Sequence, residues 1–310
     1  MLMLALLMCA LMLGVAVWRV WTDGGWRAWG VLAVVGCYAT VFVMGVLRYC
    51  GVLAPVNDGL TTQSMSYVPQ FLSGQLVSVV GGVFVLLHAF VAWAVWSRMG
   101  WIRFVACIVG GFLVAGVALG MLAGSTPLFT EHGMGGLMAP VYSLFGLCCA
   151  TMAVTGWALG LTYAEFCVLG NNWLQLGLVV ASALWVLWQW VRSMREHPSR
   201  IGAVGIAVAA LLALAYVALY VAMFRHYPLS LNAAFHACVS DLYGLADMWG
   251  TSYYVVNILI YIIAFLGALC ANAATIALLR NPSRRVAALV LVVLHLAVFA
   301  VVWLRWPAII

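Results

Sequence analysis

The chain has 310 residues, 67% of them hydrophobic and 6% charged, with a formal net charge of +6. Soluble domains carry about 25% charged residues, so the composition excludes a water-soluble fold. The apolar runs are continuous rather than alternating, which excludes a membrane β-barrel, and the scattered arginines form no tract that would hold nucleic acid.

What remains is an all-α, polytopic transmembrane helical bundle. In lipid each backbone polar group has to pair within its own helix, and runs of spanning length predict about nine crossings. The first covers Leu2 to Trp18 and the second Trp29 to Leu47, separated by a polar turn from Arg19 to Arg27. No basic head of a secretory signal and no Arg- and Ser-rich transit peptide comes before the first run, so the chain is expected either to insert from the compartment that makes it or to reach the membrane through its first helix. A long segment from Arg48 to Gln75 follows, broken by Pro55, Asn57, Gly59 and Pro69.

The third span, Leu76 to Trp96, holds His88, and the fourth, Phe104 to Ala123, leads into Gly124. Gly116, Gly120 and Gly124 recur at intervals of four, a small-residue ridge along which another helix can approach closely. The fifth span runs from Pro140 to Gly160 and the sixth from Tyr163 to Val191, the latter interrupted by Gly170-Asn171-Asn172. The seventh covers Ile201 to Phe224. A polar stretch from Arg225 to Gly250 then reads as a short interfacial helix. The eighth, Tyr253 to Leu279, and the ninth, Val286 to Leu304, complete the bundle. This divides the chain into N-terminal helices with a long loop (1–99), a core bundle (100–280) and a C-terminal helix (281–310).

All 13 basic residues are arginine, and the 15 tryptophans exceed what interfacial belts require. An organellar code that reads an extra codon as tryptophan would produce that excess. Alternating the spans places six arginines on one side and seven on the other, which fixes no orientation. The nine cysteines contain no Cys-x-x-Cys pair and act as small apolar residues, so no metal centre is expected.

Between Pro140 and Trp190 the only charge is Glu165. If its helix begins at Tyr163, the macrodipole favours the carboxylate there and no function is required. If the helix begins earlier, the group is deep enough to pass protons. Asn171, Asn172 and Gln175 are further polar groups in the same stretch. His88 and His295 lie well inside apolar spans, where they either bond across helix interfaces or ligate a haem.

Pro140-Val141-Tyr142-Ser143, then Ala164-Glu165-Phe166, then Gln175-Leu176-Gly177-Leu178 follow in an order that resembles membrane subunit 6 of the proton-pumping NADH:ubiquinone oxidoreductase, respiratory complex I. Trp249-Gly250-Thr251-Ser252-Tyr253 followed by Leu266-Gly267-Ala268-Leu269 is similar in kind to that family's last helix, and Gln175 stands where the family carries an aromatic residue. The resemblance spans Ile102 to Arg280. It implies a subunit that binds no cofactor and transfers no electron, packed among other membrane subunits of a large respiratory complex and lipid. The helix Tyr163 to Val191 would switch between α and π-bulged forms near Gly177 and so open or close a water path, with Glu165, Asn171, Asn172, Gln175 and Gly177 as the proton-path or switch residues. The resemblance places the chain in the mitochondrial inner membrane, or in a bacterial plasma membrane. Two other readings stand beside it. One is a haem-bearing or quinol-binding anchor that uses His88 and His295. The other is a transporter or secretion-channel component gated by the loop Arg48 to Gln75.

Overall fold

The computed structural model describes residues 2–49, 51–54 and 136–303, with isolated helical positions between 93 and 121. The expected span Leu76 to Trp96 falls almost wholly outside these residues and Phe104 to Ala123 in part, while His88, Gly124 and most of the loop Arg48 to Gln75 also lie outside them. Every regular element among the described residues is helical. Among the described residues six helices are long and apolar enough to cross a membrane: Ala28–Arg48, Ala139–Leu159, Tyr163–Glu196, Arg200–His226, Tyr253–Leu279 and Pro282–Val302.

The chain divides into two compact units, Met1–Phe166 and Cys167–Ile310. In the first, α1 (Leu2–Asp23) and α2 (Trp26–Tyr49) pack through Cys9, Met12 and Ala16 against Val31, Val35 and Ala39. Small residues at these positions let the two helices approach. Helix α3 (Ala139–Leu159) starts with Pro140 in its first turn, where a missing N–H costs nothing, and stops at Gly160 in the left-handed conformation (φ 85°). A side chain on Gly116 would meet Leu144 Cδ1 at 2.7 Å, and one on Gly120 would run into the backbone of Pro140. The described part of the glycine ridge therefore lies against the start of α3.

A single helical run of 34 residues, Tyr163–Glu196, crosses the boundary between the units. It comprises α4 (Tyr163–Cys167), a π-helical segment π1 (Val168–Gln175) and α5 (Leu176–Glu196). Gly170-Asn171-Asn172 thus widens the helix instead of ending it.

The second unit continues with α6 (Arg200–His226), α7 (Leu231–Trp249), α8 (Tyr253–Ile258), a second π-helical segment π2 (Leu259–Ala264), α9 (Phe265–Leu279) and α10 (Arg285–Trp303). Ser199 begins α6 by accepting a hydrogen bond from Gly202 N at 3.0 Å, and Ser252 does the same for Val255 N at 3.4 Å. Gly205 sits against Trp190, which is fully buried; a Cβ there would collide with the indole, so α5 and α6 touch nearly backbone to ring.

Arg285 fixes the direction of these helices. Its guanidinium donates to Ser193 Oγ at 3.0 Å, His197 O at 2.6 Å and Ser199 Oγ at 3.1 Å. It therefore covers the carbonyls left open at the end of α5, where the helix dipole favours a cation. The contact brings residues 192–200 and 280–285 to one end of the unit, which we call the arginine end. Helix α6 and the continuous run 253–279 each contain 27 residues, about 40 Å at 1.5 Å per residue, so His226 and Tyr253 both lie at the opposite end. Helix α7 joins them, beginning and finishing at that end. It lies within the polar stretch Arg225 to Gly250, spans 19 residues and is not among the six crossing helices.

Candidate functional site

The two π-helical segments of the second unit meet through one buried polar cluster. Tyr261, from π2, donates its hydroxyl to Asn172 Oδ1, in π1, at 2.8 Å. Because that bond uses the only phenolic hydrogen, the Cys238 thiol of α7, 2.8 Å away, must donate to the Tyr261 oxygen. Cys238 Sγ also lies 3.9 Å from Asn172 Oδ1. Three elements that are distant in sequence thus share one hydrogen-bonded node, with Asn172 only 1% exposed.

The widened turn has local causes. Glycine and asparagine are poor α-helix formers, and the Asn172 side chain is held inward by Tyr261. Trp173 packs edge-on against Tyr220 and Phe224 of α6, at ring-centroid distances of 5.9 and 5.1 Å. Neighbouring residues are therefore anchored to different helices. π-helical turns inside α-helices concentrate at functional positions, because they alter which carbonyls and side chains face a neighbour.

The node is incompletely satisfied. Asn172 Nδ2 and Gln175 Oε1 are buried and have no hydrogen-bond partner among the described residues. One is a donor and the other an acceptor, and an unmade bond of this kind costs about 1–3 kcal/mol, which marks π1 as a place for a water or a partner group.

Toward the outside the cluster continues to the end of α6. The Tyr227 hydroxyl is another polar neighbour of Cys238 and donates to Asp241 Oδ2 at 3.0 Å. The same carboxylate oxygen is 3.1 Å from His226 Nε2, in a partly exposed pair. Burial pushes the Cys238 thiol up from its ordinary value. Burial likewise raises the Tyr227 hydroxyl, helped by Cys238 and Asp241 beside it. Both keep their protons at neutral pH and remain donors.

The residues singled out from the sequence fall in different places. Asn172 and Gln175 belong to this site, and Asn171 lies in the same π segment, half-buried. Gly177 lies two residues beyond π1, inside regular α5, and a Cβ on it would touch only Tyr220 at an ordinary 3.8 Å. Glu165 is in the first turn of α4, where its Oε2 accepts from Thr162 N at 2.9 Å and Thr162 Oγ1 at 3.0 Å. The Thr162 hydroxyl in turn accepts from Glu165 N at 3.1 Å. This reciprocal pair is a capping box, and it accounts for the carboxylate as a helix-start group. His295 is bonded through Nε2 to Tyr216 at 2.8 Å, with Phe299 edge-on to the same tyrosine. That is the helix-interface role weighed for it from the sequence.

Tyr261, Cys238, Tyr227 and Asp241 were not singled out by sequence reasoning. A weak signal existed: Tyr253, Asn257 and Tyr261 recur at intervals of four, and Cys238 precedes Asp241 by three, so each set shares a helix face. Compared with family models, curated proteins and solved structures, the chain matches none. Fold and site together define a multi-pass helical membrane protein with two π-widened helices joined at a buried amide–phenol–thiol node.

Proposed function

We propose that the chain is a non-redox membrane subunit of a proton-pumping NADH:ubiquinone oxidoreductase, similar to subunit 6 of complex I. On this reading it carries no redox group of its own and helps to couple quinone-site changes to proton movement. The observation that carries the reading is π1, a widened turn in the same helical run as Ala164-Glu165-Phe166; the resemblance implies that this helix changes between α and π forms, near Gly177, two residues beyond π1. The buried, partly unsatisfied Asn172 and Gln175 add polar groups at the widened turn, where water can be admitted or refused. The site of action is the mitochondrial inner membrane or a bacterial plasma membrane. On this reading the widened turn of π1 serves as the switch, with Gly177 two residues beyond it.

The test is mild detergent extraction of the tagged full chain from its native membrane. Co-purification with an NADH-oxidising assembly is expected. In that assembly Asn172→Leu should lower the number of protons moved per NADH oxidised while the subunits stay together. Recovery of the chain alone, with no associated dehydrogenase activity, refutes the assignment.

A further inference from the structure

The arginine end of the second unit holds Arg192, Arg195, Arg200, Arg280, Arg284 and Arg285, with Glu196 as its one acid among the described residues. The opposite end holds Arg225 against Asp241 and Asp247. A strong positive field therefore sits where the helices 163–196 and 253–279 reach the membrane surface. Within it, α5 and α9 leave a groove of about 370 Å³ between them, lined by Gln189, Arg192, Ser193, Glu196 and Arg280 on its polar side and by Trp185, Ile276 and Leu279 on its apolar side.

The floor of the groove is built to donate. Ser193 Oγ accepts from Arg285 Nε at 3.0 Å and from Arg285 Nη2 at 2.7 Å, from behind the groove. With both lone pairs taken, the Ser193 hydroxyl has only its hydrogen left to offer. Arg285 itself is 5% exposed and makes no ion pair among the described residues, so its charge is uncompensated within the unit. Arg280 makes no ion pair or side-chain hydrogen bond there either, while Arg192 has an exposed pairing with Glu196 at 3.1 Å that contributes little and is easily exchanged. The groove thus presents two guanidinium groups, one of them paired with the Glu196 carboxylate at its rim, together with an amide and a polarised hydroxyl, above an apolar wall with Trp185 59% exposed.

We propose that this groove binds the phosphodiester of an anionic phospholipid, with the acyl chains lying along Trp185 and Ile276. Arg192 and Arg280 clamp the phosphate oxygens, Ser193 donates the third bond, and the surrounding arginines select an anionic headgroup over a zwitterionic one. This inference requires only that the helices span a membrane. It stands or falls separately from the assignment to a respiratory complex.

The experiment is native mass spectrometry of the full chain released from mixed phosphatidylglycerol and phosphatidylcholine nanodiscs. The wild-type chain should retain phosphatidylglycerol in preference to phosphatidylcholine. Arg192→Gln with Arg280→Gln should weaken that retention by roughly thirtyfold, the combined effect of two near-surface arginines. Arg225→Gln, at the other end, should leave it unchanged. Arg280→Gln alone removes no intramolecular bond, preserves the fold and should show a partial loss. Equal retention of the two lipids, undiminished phosphatidylglycerol binding in the double variant, or displacement of the lipid by inorganic phosphate would each overturn the proposal.

Discussion

Tyr261→Phe removes one oxygen and nothing else from the node. Asn172 Oδ1 then loses its 2.8 Å bond and keeps only the thiol contact at 3.9 Å. Two magnitudes compete. Leaving a buried acceptor unsatisfied costs about 1–3 kcal/mol, whereas hydrogen bonds measured inside membrane proteins average about 0.6 and reach about 1.7 kcal/mol. The low average arises because groups in the unfolded state within the membrane find other partners. Asn172 is 1% exposed and its Nδ2 already lacks a partner, so local rearrangement offers it little relief. The expected loss is therefore at the upper end, about 1.5 kcal/mol. Reversible unfolding by detergent titration of the purified chain would measure it. Adding Asn172→Leu replaces the stranded amide with an apolar group of similar size and should restore more than half of the loss. A single-variant cost below about 0.5 kcal/mol, or strictly additive costs in the double variant, refutes the view that the two π segments are tied through this bond.

Gly205→Ala should destabilise the chain by about 1–3 kcal/mol, because its methyl group meets the buried Trp190 ring, whereas Gly177→Ala, with only Tyr220 at 3.8 Å, should be nearly neutral in the same titration. Arg285→Leu leaves the last carbonyls of α5 uncovered and should cost about 2 kcal/mol, with faster amide hydrogen exchange near His197. Cys238, whose thiol is pushed up by burial, should resist maleimide at pH 9 as well as at pH 7 and react only after denaturation, while a thiol of ordinary pKa near 8.5 speeds up over that interval. Six arginines against one among the described residues predict that the arginine end faces the compartment in which the chain is made. An impermeant maleimide should then reach Ser283→Cys and Ser230→Cys, each in a cysteine-free background, from opposite sides; labelling of both from one side excludes this topology.

Helix positions were legible because each apolar run is bounded by arginine, proline or glycine. Pro140, Gly160, Ser199 and Pro282 mark starts and stops that the structure also uses. The interruption at Gly170-Asn171-Asn172 was visible, but not its form. A π turn is a tertiary outcome, decided here by what Asn172 and Trp173 touch on other helices. Those partners were hidden because chains that are apolar on all faces give little periodicity from which to assign a buried side. Orientation failed for a different reason. The six-to-seven arginine balance mixes both units, whereas within the second unit the balance is six to one among the described residues. Glu165 drew attention as a lone charge, yet its partner Thr162 stands three residues earlier, and the Thr-x-x-Glu spacing already describes a capping box.

The tyrosine bond also constrains how the two π segments can change. An α-helix turns about 100° per residue, so returning π1 to α geometry would rotate everything on one side of it by about that amount relative to the other. α5 resists such a rotation at Trp190, which is locked against Gly205, and at Ser193, which is held by Arg285. The motion would then fall on Asn172 and carry Oδ1 away from Tyr261. Tyr261 could follow only if π2 changed with it, because it is itself part of the widened turn. Cys238 would lose both Asn172 and Tyr261 and keep only Tyr227 as a polar neighbour, in a site buried from water. The node therefore favours two states in which both segments are π or both are not, and penalises the mixed ones by the bonds left unmade. A pair of helices joined in this way responds as a unit to a push at either end.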